Sequence, residues 1–155
     1  MSNFSEALVF AASYCSISEH CESEVLSKIS RFGLAPEDQK NLIQRLKKEN
    51  FINEKRFVKA FVNDKFRINK WGRIKIRFLL KQKGIQTEII DEGLAQIPEP
   101  EYHDMIFKLL KEKRPAIKSK NAYELRSKMI RFASGKGFEL SAITYCLKEL
   151  DIADE

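Results

Sequence analysis

Three glycines with the same apolar surroundings constrain the fold of this 155-residue chain more than any other feature. Gly33, Gly84 and Gly137 are each followed by an apolar residue, and apolar residues lie four and eight positions before each of them. That spacing places side chains on one face of an α-helix, and a glycine just after the last turn is typical of a left-handed C-terminal cap. Because the glycines stand 51 and 53 residues apart, the sequence predicts three repeats of about fifty residues each.

Each repeat is predicted to contain three short helices, because apolar residues recur at helical intervals and no long segment alternates polar and apolar residues. The nine predicted helices span 4–15, 19–32, 36–49, 54–67, 71–83, 87–96, 101–113, 120–134 and 139–150. Two prolines, Pro36 and Pro100, are predicted to lie in the first turn of a helix. The predicted N-cap residues are Ser18, Asn53 and Thr87. Helices this short need tertiary packing. We therefore expect an all-α fold of three tandem three-helix repeats, 1–52, 53–98 and 99–155, in an elongated, curved array.

The composition is typical of a cytoplasmic protein without a membrane partner. Mean hydropathy is −0.39, no apolar run approaches the roughly 20 residues that span a bilayer, and the N-terminus lacks a signal-peptide pattern. Three cysteines without a Cys-x-x-Cys pair indicate a reducing compartment. A metal site at Cys15, His20 and Cys21 would lack a fourth ligand at the usual spacing, so we expect no bound metal and predict buried, unreactive thiols at Cys15 and Cys146.

Basic residues are concentrated in two blocks, although the net charge is only +6. Eleven basic residues and one acidic residue lie between Lys55 and Lys83, and nine basic and two acidic residues lie between Lys111 and Lys136. The segments around these blocks carry net negative charge. This pattern favours a surface that meets a polyanion or an acidic protein; the alternative is a set of solvated helix faces.

No catalytic pattern is present, and we expect neither an enzyme nor a cofactor. Ser134–Gly137 (SGKG) superficially resembles a phosphate loop, but it lacks the first glycine and the hydroxyl residue after lysine. His20 and His103 lie in no recognisable triad or metal motif. Binding is therefore favoured over catalysis.

The predicted helix 71–83 is apolar on two opposite sides. Ile76, Leu79 and Leu80 share one face, and Trp71, Ile74 and Phe78 lie on the other. Burial of both faces, one in the helix's own bundle and one against a neighbouring repeat, is the simplest explanation. The alternative is that Trp71 is exposed and contacts a partner or a nucleotide base.

Several segments, in the same order and spacing, resemble the RecX family. They are FINEKRFVKAF at 51–61, KWGRIK at 70–75, LLKQKGI at 79–85 and SEVLSKI at 23–29. The family usually has an acidic residue where this chain has Asn53 and alanine where it has Val58. Both changes are compatible with the fold, because Asn53 can still cap a helix and Val58 adds volume to an apolar stripe.

This resemblance implies a regulator that binds RecA recombinase in the groove of its filament on DNA and inhibits ATP hydrolysis and strand exchange, thereby modulating recombination and DNA repair. A closed repeat array needs no partner copy, so we expect a monomer. DNA would be contacted directly or through the filament. The predicted contact residues are Arg56, Lys59, Arg67, Lys70, Trp71, Arg73, Lys75, Arg77 and Lys81. If they only flank solvated helices, we expect ion pairs to Glu54 and Asp64. The alternatives are a stand-alone nucleic-acid-binding helical module and, less favoured, an unrelated assembly scaffold.

Overall fold

The computed structural model describes residues 3–150, which form nine α-helices and no β-strand. The helices are α1 (Asn3–Ile17), α2 (Glu22–Ile29), α3 (Pro36–Lys48), α4 (Glu54–Arg67), α5 (Arg73–Gln82), α6 (Thr87–Ala95), α7 (Glu99–Lys113), α8 (Ala122–Gly135) and α9 (Leu140–Glu149). Short 3-10 helices, Ser30–Phe32 and Arg114–Ala116, follow α2 and α7. The all-α prediction is confirmed, and all nine predicted helices occur.

The three glycines of the repeat pattern lie just after helices, as predicted. Gly33, Gly84 and Gly137 all adopt positive φ, at 62°, 82° and 94°, a conformation that side chains with a Cβ rarely adopt. The predicted N-cap Asn53 accepts a hydrogen bond from the Arg56 N–H at 2.9 Å, and Pro36 begins α3. These local signals therefore set the helix ends where the sequence places them.

Two predicted caps were wrong, and the predicted starts of α2, α5, α7 and α8 differ from the observed ones by two or three residues. α2 begins three residues after the predicted position, because Cys21 is its N-cap and the Glu24 carboxylate accepts from the Cys21 N–H. The Ser18 hydroxyl bonds to His20 instead. Thr87 is the first helical residue of α6 rather than its cap. α5 begins at Arg73 rather than at 71.

The chain divides into two compact units, and the division passes through α4, α5 and α6. One unit runs to Phe61 and includes Leu80–Ile90; the other comprises Val62–Leu79 and the residues from Asp91 onward. In the first unit α1, α2 and α3 contact one another. Its buried core contains Ala7, Ala11, Cys15, Val25, Ile29, Leu42, Ile43, Leu46 and Ile52.

The second unit packs α7, α8 and α9 together and contains a row of three buried aromatic rings. The Tyr102 ring lies 5.7 Å from that of Phe66 and 5.4 Å from that of Phe138, measured between centroids. Tyr102 therefore links α4, α7 and the segment that precedes α9. This aromatic row positions the beginning of α5, where the candidate site lies.

The three cysteines are free and buried, as predicted for Cys15 and Cys146. Burial raises the pKa of the Cys146 thiol to about 12 and also raises that of Cys15, so both remain protonated and poorly nucleophilic at neutral pH. Within residues 3–150, no group of three or more metal-ligating side chains is placed to hold an ion. No helix of that same stretch is long and apolar enough to cross a membrane.

Candidate partner-binding surface

Three tertiary hydrogen bonds fix the beginning of α5 within the second unit. The Gly72 N–H donates to the Lys136 carbonyl at 2.8 Å, and the Ile74 N–H donates to the Gly137 carbonyl at 3.0 Å. The Arg73 N–H donates to the Tyr102 hydroxyl at 3.0 Å. The first N–H groups of a helix have no partners within the helix, so these acceptors satisfy donors that would otherwise need water.

The Arg73 side chain packs against the same part of the second unit and is largely shielded from solvent. Its guanidinium lies 3.8 Å from the centroid of the Tyr102 ring, donates to Glu139 at 3.0 Å and pairs with Glu99, and the side chain is only 18% exposed. The Tyr102 hydroxyl donates to the second oxygen of the Glu139 carboxylate. Burial, followed by this bond, raises the pKa of Tyr102. Burial alone would raise the pKa of Glu139, but the hydrogen bonds from Tyr102 and Arg73 outweigh it and lower that pKa.

The other predicted arginines also form ion pairs inside their own units. Arg56 pairs with Glu19 at 2.6 Å and donates to the Asn50 carbonyl. The remaining pairs are Arg67 with Glu101 at 2.6 Å and Arg77 with Asp91 at 3.1 Å. The sequence led us to expect ion pairs with Glu54 and Asp64. These three arginines pair with other carboxylates instead. Part of the positive charge of the basic block between Lys55 and Lys83 is therefore neutralised by carboxylates of the same chain.

The predicted lysines are placed differently from the arginines. Lys59 and Lys81 are exposed and form no ion pair within the part of the chain that the structure describes. Lys70 has a positive φ of 61° and directly precedes Trp71. Trp71 is partly exposed, and the Lys75 ammonium lies 4.2 Å from the centroid of its indole ring. The lysines of the predicted set thus keep most of their charge available to a partner.

The second apolar side of α5 is exposed, so the expectation that a neighbouring repeat buries it was wrong. Ile74 is 52% and Phe78 is 60% exposed, whereas Ile76 and Leu80 on the opposite side are fully buried. Lys81 follows Phe78 at helical spacing, which places it on the same stripe. We call Ile74, Phe78 and Lys81 the outer face of α5. The sequence pattern revealed this face, but it could not show that the face stays uncovered.

Comparison with known proteins identifies the family. A family model described as RecX, second three-helix domain, matches residues 53–94. The regulatory protein RecX of Clostridium beijerinckii is 32% identical over 135 residues, which cover 86% of this chain and 62% of that protein. The regulatory protein RecX of Prosthecochloris aestuarii is 28% identical, covering 94% of this chain and 93% of that protein. The crystal structure of RecX from Lactobacillus salivarius superposes with a TM-score of 0.85 at 21% identity, over 97% of this chain and 98% of that one. The chain belongs to the RecX family.

The segment that matches the RecX model contains all nine predicted contact residues, from Arg56 to Lys81. It also contains the outer face of α5, two of whose three residues were not in the predicted set. RecX relatives differ in length, and this chain spans about three fifths of the clostridial proteins that it matches. The assignment of the nine residues to partner binding remains a prediction.

Proposed function

We propose that this chain regulates RecA recombinase by binding its filament on DNA and lowering ATP hydrolysis and strand exchange. The observation that supports this most is the fold shared with RecX from Lactobacillus salivarius over nearly the whole of both chains. The curated relatives are named regulatory proteins, and the motifs of the middle repeat resemble those of the same family. We further propose that the chain acts in the cytoplasm as a monomer without a cofactor, and that 1–52, 53–98 and 99–155 are its three repeats.

The outer face of α5 is the contact that we propose for RecA. Ile74 and Phe78 lie one turn apart and expose more than half of their surface, and neighbouring exposed apolar side chains rimmed by polar residues are typical of protein-binding sites. Lys81 and Lys59 carry charge that no carboxylate of residues 3–150 neutralises. By contrast, Arg56 and Arg73 stabilise the fold through their ion pairs, so we propose that they act by holding the surface in place.

Titration of the full chain into a RecA ATPase assay on single-stranded DNA tests this function. We expect inhibition at amounts below one regulator per RecA, because a filament-bound regulator affects several subunits. The double variant Ile74→Ser/Phe78→Ser should need at least about tenfold more protein for the same inhibition, since each lost anchor weakens binding.

The matched control is Val9→Ser/Leu140→Ser, which removes two apolar side chains of similar exposure, 61% and 59%, from α1 and α9. This variant should inhibit like the parent chain. Absence of inhibition even at excess regulator, together with tight, salt-sensitive binding to bare duplex DNA, would instead support the stand-alone nucleic-acid-binding module.

A further inference from the structure

A cavity of about 500 Å³ lies in the first unit and shares no residue with the outer face of α5. Its walls come from the beginning of α2, the end of α3, the beginning of α4 and the segment 84–89, which leads into α6. Apolar, amide and charged side chains all contribute. Among them are Glu22, Lys47, Ile52, Glu54, Gln86 and Ile89.

Glu54 lines this cavity with a carboxylate that the rest of the chain leaves unpaired. The carboxylate forms no hydrogen bond or ion pair within residues 3–150, and its Oε2 is buried from solvent. Burial raises the pKa of Glu54, the Lys47 ammonium lowers it only in part, and the Glu22 carboxylate raises it further. A carboxylate that loses water without gaining a donor destabilises the fold, so the free chain carries Glu54 at a cost.

The basic side chains near Glu54 are directed to other carboxylates. The Lys47 Nζ lies 2.8 Å from Oε2 of Glu22. Arg56, two residues after Glu54 in α4, pairs with Glu19 instead. Because neither of these cations pairs with Glu54, a cation that enters the cavity from outside the chain would supply the missing partner.

The rest of the lining matches the shape and chemistry of an arginine side chain. Ile52 and Ile89 provide apolar walls for a methylene stem. A guanidinium has five N–H donors, so it can bond to the Glu54 carboxylate and to the Gln86 carboxamide oxygen together. Gly84 contributes no side chain, and a Cβ there would meet no atom within 4 Å, so the cavity is open to an approaching polypeptide on that side.

We propose that the cavity beside Glu54 binds an arginine side chain of a protein partner. The guanidinium pairs with the Glu54 carboxylate, and the methylene stem packs between Ile52 and Ile89. A polyamine matches less well, because its additional charges would meet Lys47 and Lys55, which also line the cavity. An anion would meet the two lysines but would leave Glu54 unpaired. This inference goes beyond the proposed function, since Glu54 belongs neither to the outer face of α5 nor to the nine predicted contact residues.

The test uses the full isotope-labelled chain and n-butylguanidinium chloride, which reproduces the arginine side chain without a backbone. We expect saturable NMR shifts of the Ile52 and Ile89 methyl groups. The pKa of Glu54, followed through its carboxyl carbon, should fall as the ligand binds, because a bound cation favours the ionised form. The neutral analogue n-butylurea should bind at least about tenfold more weakly. Absence of these methyl shifts with the guanidinium, or equal binding of the urea, would overturn the proposal.

A pair of matched variants separates the Glu54 carboxylate from diffuse attraction. Glu54→Gln should bind the guanidinium at least about tenfold more weakly, and its melting temperature at pH 7 should equal or exceed that of the parent chain, because the change removes a buried, unpaired charge. The control Glu88→Gln, at an exposed position of α6, has the same net charge and should bind like the parent. Equal losses in both variants, or a lower melting temperature in Glu54→Gln, would contradict an unpaired carboxylate at the site.

Three further ligands decide what kind of molecule carries the cation. A capped five-residue peptide with one central arginine between alanines should displace n-butylguanidinium from the parent chain and fail to bind Glu54→Gln. Spermidine and n-butanesulfonate should bind more weakly than this peptide. Tighter binding of spermidine would assign the cavity to a polyamine, tighter binding of the sulfonate would assign it to an anion, and a peptide that cannot displace the guanidinium would exclude a polypeptide partner; each result would refute the proposal.

Discussion

Gly72 and Gly137 bring two backbone segments of the second unit closer together than residues with side chains could lie. A Cβ on Gly72 would overlap the Gly137 carbonyl, and a Cβ on Gly137 would overlap Lys75. Gly135, two residues earlier, has open space around the same position. The close approach allows the Gly72 N–H to reach the Lys136 carbonyl, so the two glycines determine where α5 begins.

Gly72→Ala should therefore destabilise the protein strongly, by about 2–4 kcal/mol, because the clash involves backbone atoms that cannot rotate away. Gly135→Ala serves as the matched control and should change stability by less than about 1 kcal/mol. Urea unfolding of the two variants measures the difference. Equal effects would mean that the close approach is not a source of stability.

At the same scale, the sequence could not distinguish paired basic residues from available ones. Arg73 and Lys75 belong to the same basic block, but the Arg73 guanidinium pairs with Glu139, 66 residues away along the chain, whereas the Lys75 ammonium lies over the Trp71 ring. Arg56 likewise pairs with Glu19, 37 residues away along the chain. Counting charges predicted a basic surface; only the fold decides which charges are compensated.

At the scale of elements, α5 depends on α7 and on the beginning of α9 for its N-terminal anchor. The Glu139 carboxylate accepts from both the Tyr102 hydroxyl and the Arg73 guanidinium, and these bonds lower its pKa in the folded protein. A carboxyl group with a lowered folded pKa stabilises the fold above its unfolded pKa. That contribution is lost as the pH falls through the folded value.

Glu139→Gln should accordingly lower the free energy of unfolding at pH 7 by about 1–2 kcal/mol, since a neutral amide accepts weaker hydrogen bonds. The difference from the parent chain should shrink below about pH 4 as the carboxyl group becomes protonated. Thermal unfolding across this pH range measures the effect. Glu112→Gln, on the exposed surface of α7, is the control; a pH-independent loss in Glu139→Gln would rule out the carboxylate as the cause.

The helix boundaries show where local signals are sufficient. α4 begins and ends at the predicted residues, because Asn53 caps it and its apolar stripe is continuous. α2 starts later than predicted because Cys21 is its N-cap and Glu24 completes a capping box, a local pattern in which cysteine stands in place of the usual Ser or Thr. α5 starts later than predicted because the N–H groups at its start bond to the Lys136 and Gly137 carbonyls, which no local pattern announces.

At the scale of the whole molecule, two compact units share three helices. Residues of α4, α5 and α6 fall on both sides of the division. If one unit unfolded alone, each of these helices would lose the part that belongs to that unit. The part left in the other unit would be a helix too short to be stable without further packing.

We therefore expect the chain to unfold in one cooperative transition. The fluorescence of Trp71 reports on the second unit, whereas far-UV circular dichroism reports on all the helices, so the two urea curves should coincide. A fluorescence transition at a clearly different urea concentration would show that the second unit unfolds independently of the first.

The sequence by itself determined the all-α class, the number of helices and the glycine-capped helix ends, because these follow from periodicity and from backbone preferences within a few residues. It also supplied the motifs that resemble the RecX family. Only the tertiary structure decided which arginines are neutralised, that Ile74 and Phe78 stay exposed, and that two basic blocks meet at Gly72 and Gly137. These features depend on contacts between residues far apart in the chain, and no local preference encodes such contacts.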